Sequence, residues 1–180
     1  FDMMPHLPQP SPPPPAAPLL TSQISCDFAS DCAHATLNGD ATRISTYVRL
    51  TPNSGGKNGY LVFDAPPLAF ISELTISMKM YIPSASGADG IGVYFADHAS
   101  HNSARSWEFA PLSGPGFAWG ISEYRDISKV TQWVTSASTR SERALSSSEM
   151  SSLTGNSWKQ VTIAYAAGTI SVTAAGILLH

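Results

Sequence analysis

Three groups of residues in this 180-residue chain have types and spacings that chemistry can use. Cys26 and Cys32, in Ser-Cys-Asp-Phe-Ala-Ser-Asp-Cys, are its only cysteines. Two thiols with no second pair nearby do not make a zinc site, so they read as a disulfide closing a small loop. Such a loop contributes about 2 kcal/mol by chain entropy and implies an oxidising, extracellular compartment. Glu123 and Asp126 are two carboxylates on one short stretch, weak candidates for a calcium ion that would need about six oxygen ligands. Asp97, His98 and His101 form a further small cluster, which reads as solvated loop residues. The third group is aromatic: Tyr94, Trp107, Trp119, Tyr124, Trp133 and Trp158. A ring face packs well against the C–H face of a sugar, but it packs equally well in a core. Trp107 lies in the turn-rich stretch 98–116 and is the one expected at the surface, whereas Trp119, Trp133 and Trp158 sit in strand-like runs and are expected inside.

Catalytic patterns are wanting. Gly120-Ile-Ser-Glu-Tyr124 is not a nucleophile elbow, so Ser122 has no claim as a nucleophile. Gly87-x-x-Gly90-x-Gly92 reverses the phosphate-loop spacing and falls in a strand region, where glycines permit close backbone approach. The chain reads as a non-enzyme. No Asn-x-Ser/Thr sequon is present, since Asn53-Ser54-Gly55, Asn102-Ser103-Ala104 and Asn156-Ser157-Trp158 all fail at the third position.

The elements that must position these groups are strands. Period-two alternation bounded by Gly, Asn, Pro and Ser clusters predicts strands over 47–50, 59–63, 74–82, 91–96, 117–124, 129–134, 158–166 and 169–174. In 74–82, Leu74, Ile76, Met78, Met80 and Ile82 share one face while Thr75, Ser77, Lys79 and Tyr81 share the other, the pattern of a half-buried antiparallel strand. The last two runs, joined across Ala167-Gly168, read as a hairpin. The Ser/Thr-rich stretch 135–155 reads as a long surface loop holding a short helix over 141–150, with Ser141 as its cap and Glu142 in its first turn. Many strands and one weak helix predict a two-sheet antiparallel β-sandwich.

Residues 1–18 stand apart, since eight of the fourteen prolines fall there. Such density favours the extended polyproline II helix, and at about 3.1 Å per residue Pro8 to Pro18 would reach roughly 30 Å. This arm reads as a spacer or as a docking and polymerisation arm, with Phe1, Met3, Met4 and Leu7 as apolar anchors. Its Ser11-Pro-Pro-Pro-Pro15 run resembles the hydroxyproline-rich segments of algal and plant wall glycoproteins, which implies possible hydroxylation and sugar on Pro12, Pro13, Pro14 and Pro15. The remainder, 19–180, is long enough for one domain. Charged residues are only 13% of the chain, about half the roughly 25% usual in globular proteins, and the net charge is -3. A chain with no basic stripe is a poor partner for nucleic acid or anionic membranes, and no run approaches the roughly 18 apolar residues of a membrane span. The N-terminus lacks the layout of a signal peptide and begins at Phe1, which reads as a processed or partial chain.

Several segments, in order, resemble the concanavalin A-like lectin/glucanase jelly roll, and most of all its L-type (legume-type) lectin branch. They are Leu37-Asn-Gly-Asp-Ala41 with Val48-Arg-Leu-Thr-Pro-Asn53, Gly59-Tyr-Leu-Val-Phe63, the strand from Phe70 to Ile82, and Gly87-Ala-Asp-Gly-Ile-Gly-Val-Tyr-Phe95. Phe117-Ala-Trp-Gly-Ile-Ser-Glu-Tyr-Arg-Asp126 is similar to the family's metal-loop strand, and 158–173 to its late hairpin. The likeness spans about residues 24–179. It implies a carbohydrate site at the Ala-Asp-Gly motif, where the carboxylate of Asp89 accepts bonds from two ring hydroxyls, with Gly90, Tyr94 and Trp107 beside it. It also implies a cis peptide between Ala88 and Asp89. An ordinary Asp-Gly turn is the alternative for that pair. The legume branch completes its site with calcium and a transition metal held by Glu and Asp two apart, and here that pair is missing, so no metal is expected beyond a weak calcium candidate at Glu123 and Asp126. The glucanases' Glu-x-Asp-x-(x)-Glu strand is missing too. The family's final strands, expected after Leu179, are also lacking, which would leave an open sheet edge for a neighbour's strand or mark a piece of a longer chain.

These observations predict a secreted or cell-surface, lectin-like jelly-roll domain that binds carbohydrate near Asp89. The alternative is a structural subunit of an extracellular fibre, sheath or wall glycoprotein, self-associating through its arm or by strand donation.

Overall fold

A computed structural model describes residues 23–29, 32, 35–52, 54–64, 72–83, 90–95, 116–122, 126–134 and 137–180, with backbone only at 129–134 and 137–140. The Pro-rich arm lies outside them. Two four-stranded antiparallel sheets carry the fold. One holds β5 (Glu73–Met80), β10 (Lys159–Ala166), β11 (Thr169–Ala174) and β12 (Ile177–Leu178), in the order β12-β11-β10-β5. The other holds β6 (Ile91–Phe95), β7 (Gly116–Ser122), β8 (Ile127–Val134) and β9 (Ala137–Ala144), in sequence order. Two shorter ladders join β1 (Ala35–Gly39) to β4 (Gly59–Phe63) and β2 (Thr42–Ile44) to β3 (Tyr47–Arg49).

Alternation explains why the two large sheets meet face to face. Leu74, Ile76, Met78 and Met80 of β5 stand opposite Tyr165, Ile163, Val161 and Lys159 of β10, and the apolar members of these pairs point into one core. Phe117, Trp119 and Ile121 of β7 enter that core from the other sheet. Phe117 stacks on Phe95 of its own sheet and on Tyr165 of the facing one, with ring centroids 5.6 and 6.0 Å apart. The Trp119 side chain is fully buried, and its indole N–H donates to Ser128 Oγ at 3.0 Å, so the polar atom of the largest core side chain is satisfied. His180 Nε2 lies 3.1 Å from the same hydroxyl. Burial holds the His180 imidazole below its usual value, the nearby Arg143 charge adds to this, and a hydrogen bond with the Ser128 backbone opposes it.

Turn chemistry sets the connections. Ala167 and Gly168, both left-handed with φ of 48° and 79°, close the two-residue hairpin between β10 and β11 as expected. In the Leu37-Asn-Gly-Asp-Ala41 segment, Asp40 ties β1 to the start of β4. Its Oδ2 accepts from the Asn58 backbone N–H at 2.9 Å and its Oδ1 from Lys57 Nζ at 3.3 Å, so its carboxyl is held below the usual value, first by the Asn58 bond and then by Lys57. Cys26 and Cys32 form the expected disulfide, their Cα atoms 5.7 Å apart and within the range such a bridge spans.

Three expectations fail here. Residues 135–155 are not a long loop: Ala137–Ala144 pairs along its whole length with β8 as the outer strand of its sheet. An edge strand pairs on one side only and tolerates Ser, Thr, Arg and Glu, so its composition resembles that of a loop. The helix is α1 (Ser147–Leu153), capped by Ser146 rather than Ser141. Ser146 and Glu149 form a reciprocal capping box, and Glu149 also pairs with Arg143 of β9, which binds the helix start to the sheet edge. The third correction is Trp158, which is 49% exposed rather than core, because it lies just before β10 at the parity of the outward residues Gln160 and Thr162.

Acid should destabilise the fold at two sites. The lowered pKa of His180 means the folded state favours the neutral ring, so its contribution is complete above the usual 6.5 and is lost as pH falls through the folded value. Arg143, the Ser146 N–H and the Ser146 hydroxyl push Glu149 down to about 2, so its contribution is complete above the usual 4.5 and declines towards pH 2. Thermal melts across this range should show Tm falling in both windows. His180→Gln should flatten the first window and Glu149→Gln the second; unchanged profiles would contradict these assignments.

Candidate functional site

The site implied by the Ala-Asp-Gly motif is built on the first residues of β6. Gly90 has φ +132°, a conformation L side chains rarely adopt, and a Cβ placed on it would lie 2.0 Å from the Ile121 carbonyl oxygen. The glycine therefore allows the chain to press against β7 as it enters β6. Ile91, Val93 and Phe95 pack against the core, so Gly92 and Tyr94 share the opposite face with Gly90. Their partners on β7 are Gly120 opposite Gly92 and Ala118 opposite Tyr94. That face is a floor of glycine and alanine with Tyr94 as the one large side chain on the described parts of these two strands. Burial pushes the Tyr94 hydroxyl up to about 12, so it stays protonated and able to donate at any physiological pH.

Ser122 completes this corner. By alternation with Phe117, Trp119 and Ile121 it lies on the same side as Gly120, and its Cα is 3.1 Å from where a Cβ on Gly90 would be. It is 3% exposed, and among the described residues its hydroxyl has no hydrogen-bond partner. A buried polar group without a partner is costly, by about 1–3 kcal/mol, and such groups in native structures usually await a water or a ligand. Its sequence context offers Ser122 no nucleophilic role, and its place beside Gly90 emerges from the register.

Of the other expected site residues, Asp89, Trp107, Glu123 and Pro12 to Pro15 lie outside the described residues, as do Asp97, His98, His101, Tyr124 and the Ala88–Asp89 peptide. Only the backbone of Trp133 is described. Asp126 is exposed, in a left-handed turn residue with φ 50°, and its carbonyl accepts from the Leu145 N–H at 2.7 Å. Its described role is thus to shape the turn into β8. Among the described residues no three His, Cys, Asp or Glu side chains gather as a metal site would require. One exposed carboxylate does not fit calcium.

Sequence reasoning missed an aromatic cluster on the outer face. Trp158 contacts Tyr47 at a ring-centroid distance of 5.5 Å and Tyr81 at 5.7 Å, and all three rings are exposed by more than a third. Tyr81 was placed on the outward face of its strand, which was the available signal; the approach of Tyr47 from the β2–β3 hairpin was not legible.

No protein-family profile and no curated protein sequence matches the chain. Solved structures do. It is similar to the exoplasmic/lumenal domain of VIP36 in its Ca2+/Man3GlcNAc-bound form, with TM-score 0.59 and 16% identity over 84% of this chain and 68% of that one. The metal-free form matches with TM-score 0.57 and 16% identity, covering 84% and 69%, and the Ca2+/Man2-bound form with 0.58 and 15%, covering 83% and 67%. The fold is the lectin jelly roll.

Gly90→Ala should lower the unfolding free energy by about 3 kcal/mol, through backbone strain and the clash with Ile121. Urea denaturation measures this, and a loss below the usual surface-mutation range of about 0.5 kcal/mol would contradict the close approach.

Proposed function

We propose that the domain is a non-enzymatic, lectin-like module that binds carbohydrate at the start of β6, through Asp89, Gly90, Tyr94 and Trp107, in a secreted or lumenal compartment. The observation that carries this reading is the corner made by Gly90 and Ser122. Gly90 is pressed against β7, small residues line the same face of β6 and β7, and the buried Ser122 hydroxyl there has no partner among the described residues. Saccharide recognition uses such a combination: a charge-assisted pair of bonds from a carboxylate to neighbouring hydroxyls, with further donors and acceptors and an apolar floor. The likeness to a domain solved with Man3GlcNAc and Man2 supports mannose-containing glycans as first ligands to try. The disulfide supports an oxidising compartment. Binding is taken as metal-free because the Glu and Asp two apart that hold the metals of the legume branch are missing from this sequence. The second reading, a self-assembling structural subunit, draws on the Pro-rich arm.

Asp89→Ala should weaken binding of a mannose oligosaccharide about 100-fold, the equivalent of two bonds to a charged group at about 1.5 kcal/mol each, with Tm unchanged. Isothermal titration measures it, and equal binding by the variant would remove Asp89 from the site. Wild-type affinity should be the same in a chelator; loss of binding there would show a metal in the site.

A further inference from the structure

The Tyr47–Tyr81–Trp158 cluster is a second recognition surface, distinct in chemistry from the Gly90 corner. Three large rings at 37%, 42% and 49% exposure lie side by side on a domain whose other outward strand residues there are Ser, Thr, Gln and Lys. The Trp158 ring is tilted by 66° to Tyr47 and 54° to Tyr81, so the three do not form the coplanar strip on which a sugar chain lies flat. Tilted rings leave clefts between them, and aromatic-lined clefts are what a polyproline II helix fits, its prolines entering the gaps. Such a helix has no internal hydrogen bonds, so its carbonyls need donors. The Trp158 indole N–H and the Tyr47 hydroxyl are donors, and Asn156, whose Oδ1 accepts from the Tyr81 hydroxyl at 3.3 Å, has an amide NH2 to add.

The chain contains a segment with this chemistry. Pro8 to Pro18 has seven prolines in eleven residues and no charged side chain, so docking it desolvates no ion. The route is short as well. Arg43 of β2 donates from Nε to the Phe28 carbonyl and from Nη2 to the Ala29 carbonyl, both at 2.9 Å. This anchors residues 28–29 to the hairpin that carries Tyr47. The ten residues from Pro18 to Phe28 span up to about 33 Å when extended, several times the length of a three-residue strand. We propose that the Pro8–Pro18 segment of the same chain docks as a polyproline II helix on the Tyr47–Tyr81–Trp158 cluster. This stands independently of the carbohydrate reading of the Gly90 corner.

Hydroxyl-radical footprinting of the full-length protein, read by mass spectrometry, tests the proposal residue by residue. The comparison is with a full-length variant carrying Pro12→Ser, Pro13→Ser, Pro14→Ser and Pro15→Ser. Oxidation of Trp158 and Tyr81 should rise about threefold or more in the variant while buried Trp119 stays protected. Adding a synthetic peptide of residues 8–18 should restore protection. Protection that weakens on dilution of the wild-type protein would overturn docking within one chain and assign the arm to a neighbouring copy. Equal oxidation of Trp158 in both proteins, with no effect of the peptide, overturns the proposal. So does protection of Trp158 by a mannose oligosaccharide but not by the peptide, which would make the cluster a sugar platform.

Discussion

The structure depends on the burial of one apolar face of each four-stranded sheet against the other. Trp119 is at the centre of that contact, and it is accommodated because Ser128, on the next strand, takes its indole proton. Were the hydroxyl absent, the largest core side chain would bury an unsatisfied donor, at a cost of about 1–3 kcal/mol. The rest follows from the two inward faces. Phe117 bridges the sheets between Phe95 and Tyr165, and Leu153 and Leu179 close the core from the helix and from the end of the described chain.

Period-two alternation then decides what is left to face outward. On β6 and β7 the core-facing residues are bulky and those of the opposite face are Gly92, Ala118 and Gly120 with Tyr94, and Ala118 and Gly120 are themselves buried. On β5 and β10 the outward residues are hydroxyl-bearing and polar until Tyr81 and Trp158. The ten-residue connection from Tyr81 to Gly90 therefore has an aromatic cluster at its beginning and a strained glycine at its end. The aromatic cluster and the Gly90 corner thus each lie beside a strand whose opposite face is locked in the core.

Much of this was legible in the sequence. The strands with strong alternation, such as 59–63, 74–82 and 169–174, appear within a residue or two of where the pattern placed them, because a half-buried strand has to alternate. The hairpin at Ala167-Gly168 and the Cys26–Cys32 pairing followed from local geometry. What escaped was set by tertiary contact. The edge strand β9 has no apolar alternation to read, and β2 and β12 are too short to show a period. The helix cap was misplaced by five residues although Ser146-x-x-Glu149 carries the capping-box spacing, since the Ser-rich surroundings offered several caps. Trp158 shows the limit most clearly. Its size argued for the core, while its parity in the ladder put it outside, and only the pairing with β5 decides between the two. At the candidate site, the close approach of Gly90 to β7 agrees with the glycines of 87–92 permitting close backbone approach, but the orphan hydroxyl of Ser122 depends on how β7 lies against Gly90.

The central claim is that this jelly roll recognises sugar at the corner where β6 begins. The most direct measurement is a backbone NMR titration of the full chain with a mannose oligosaccharide. Chemical-shift changes should concentrate at Gly90 to Phe95 and at Gly120 to Ser122, leaving β10 and β11 unmoved. Saturating ligand that shifts no residue of β6 or β7, or shifts only the residues around Trp158, would contradict the account.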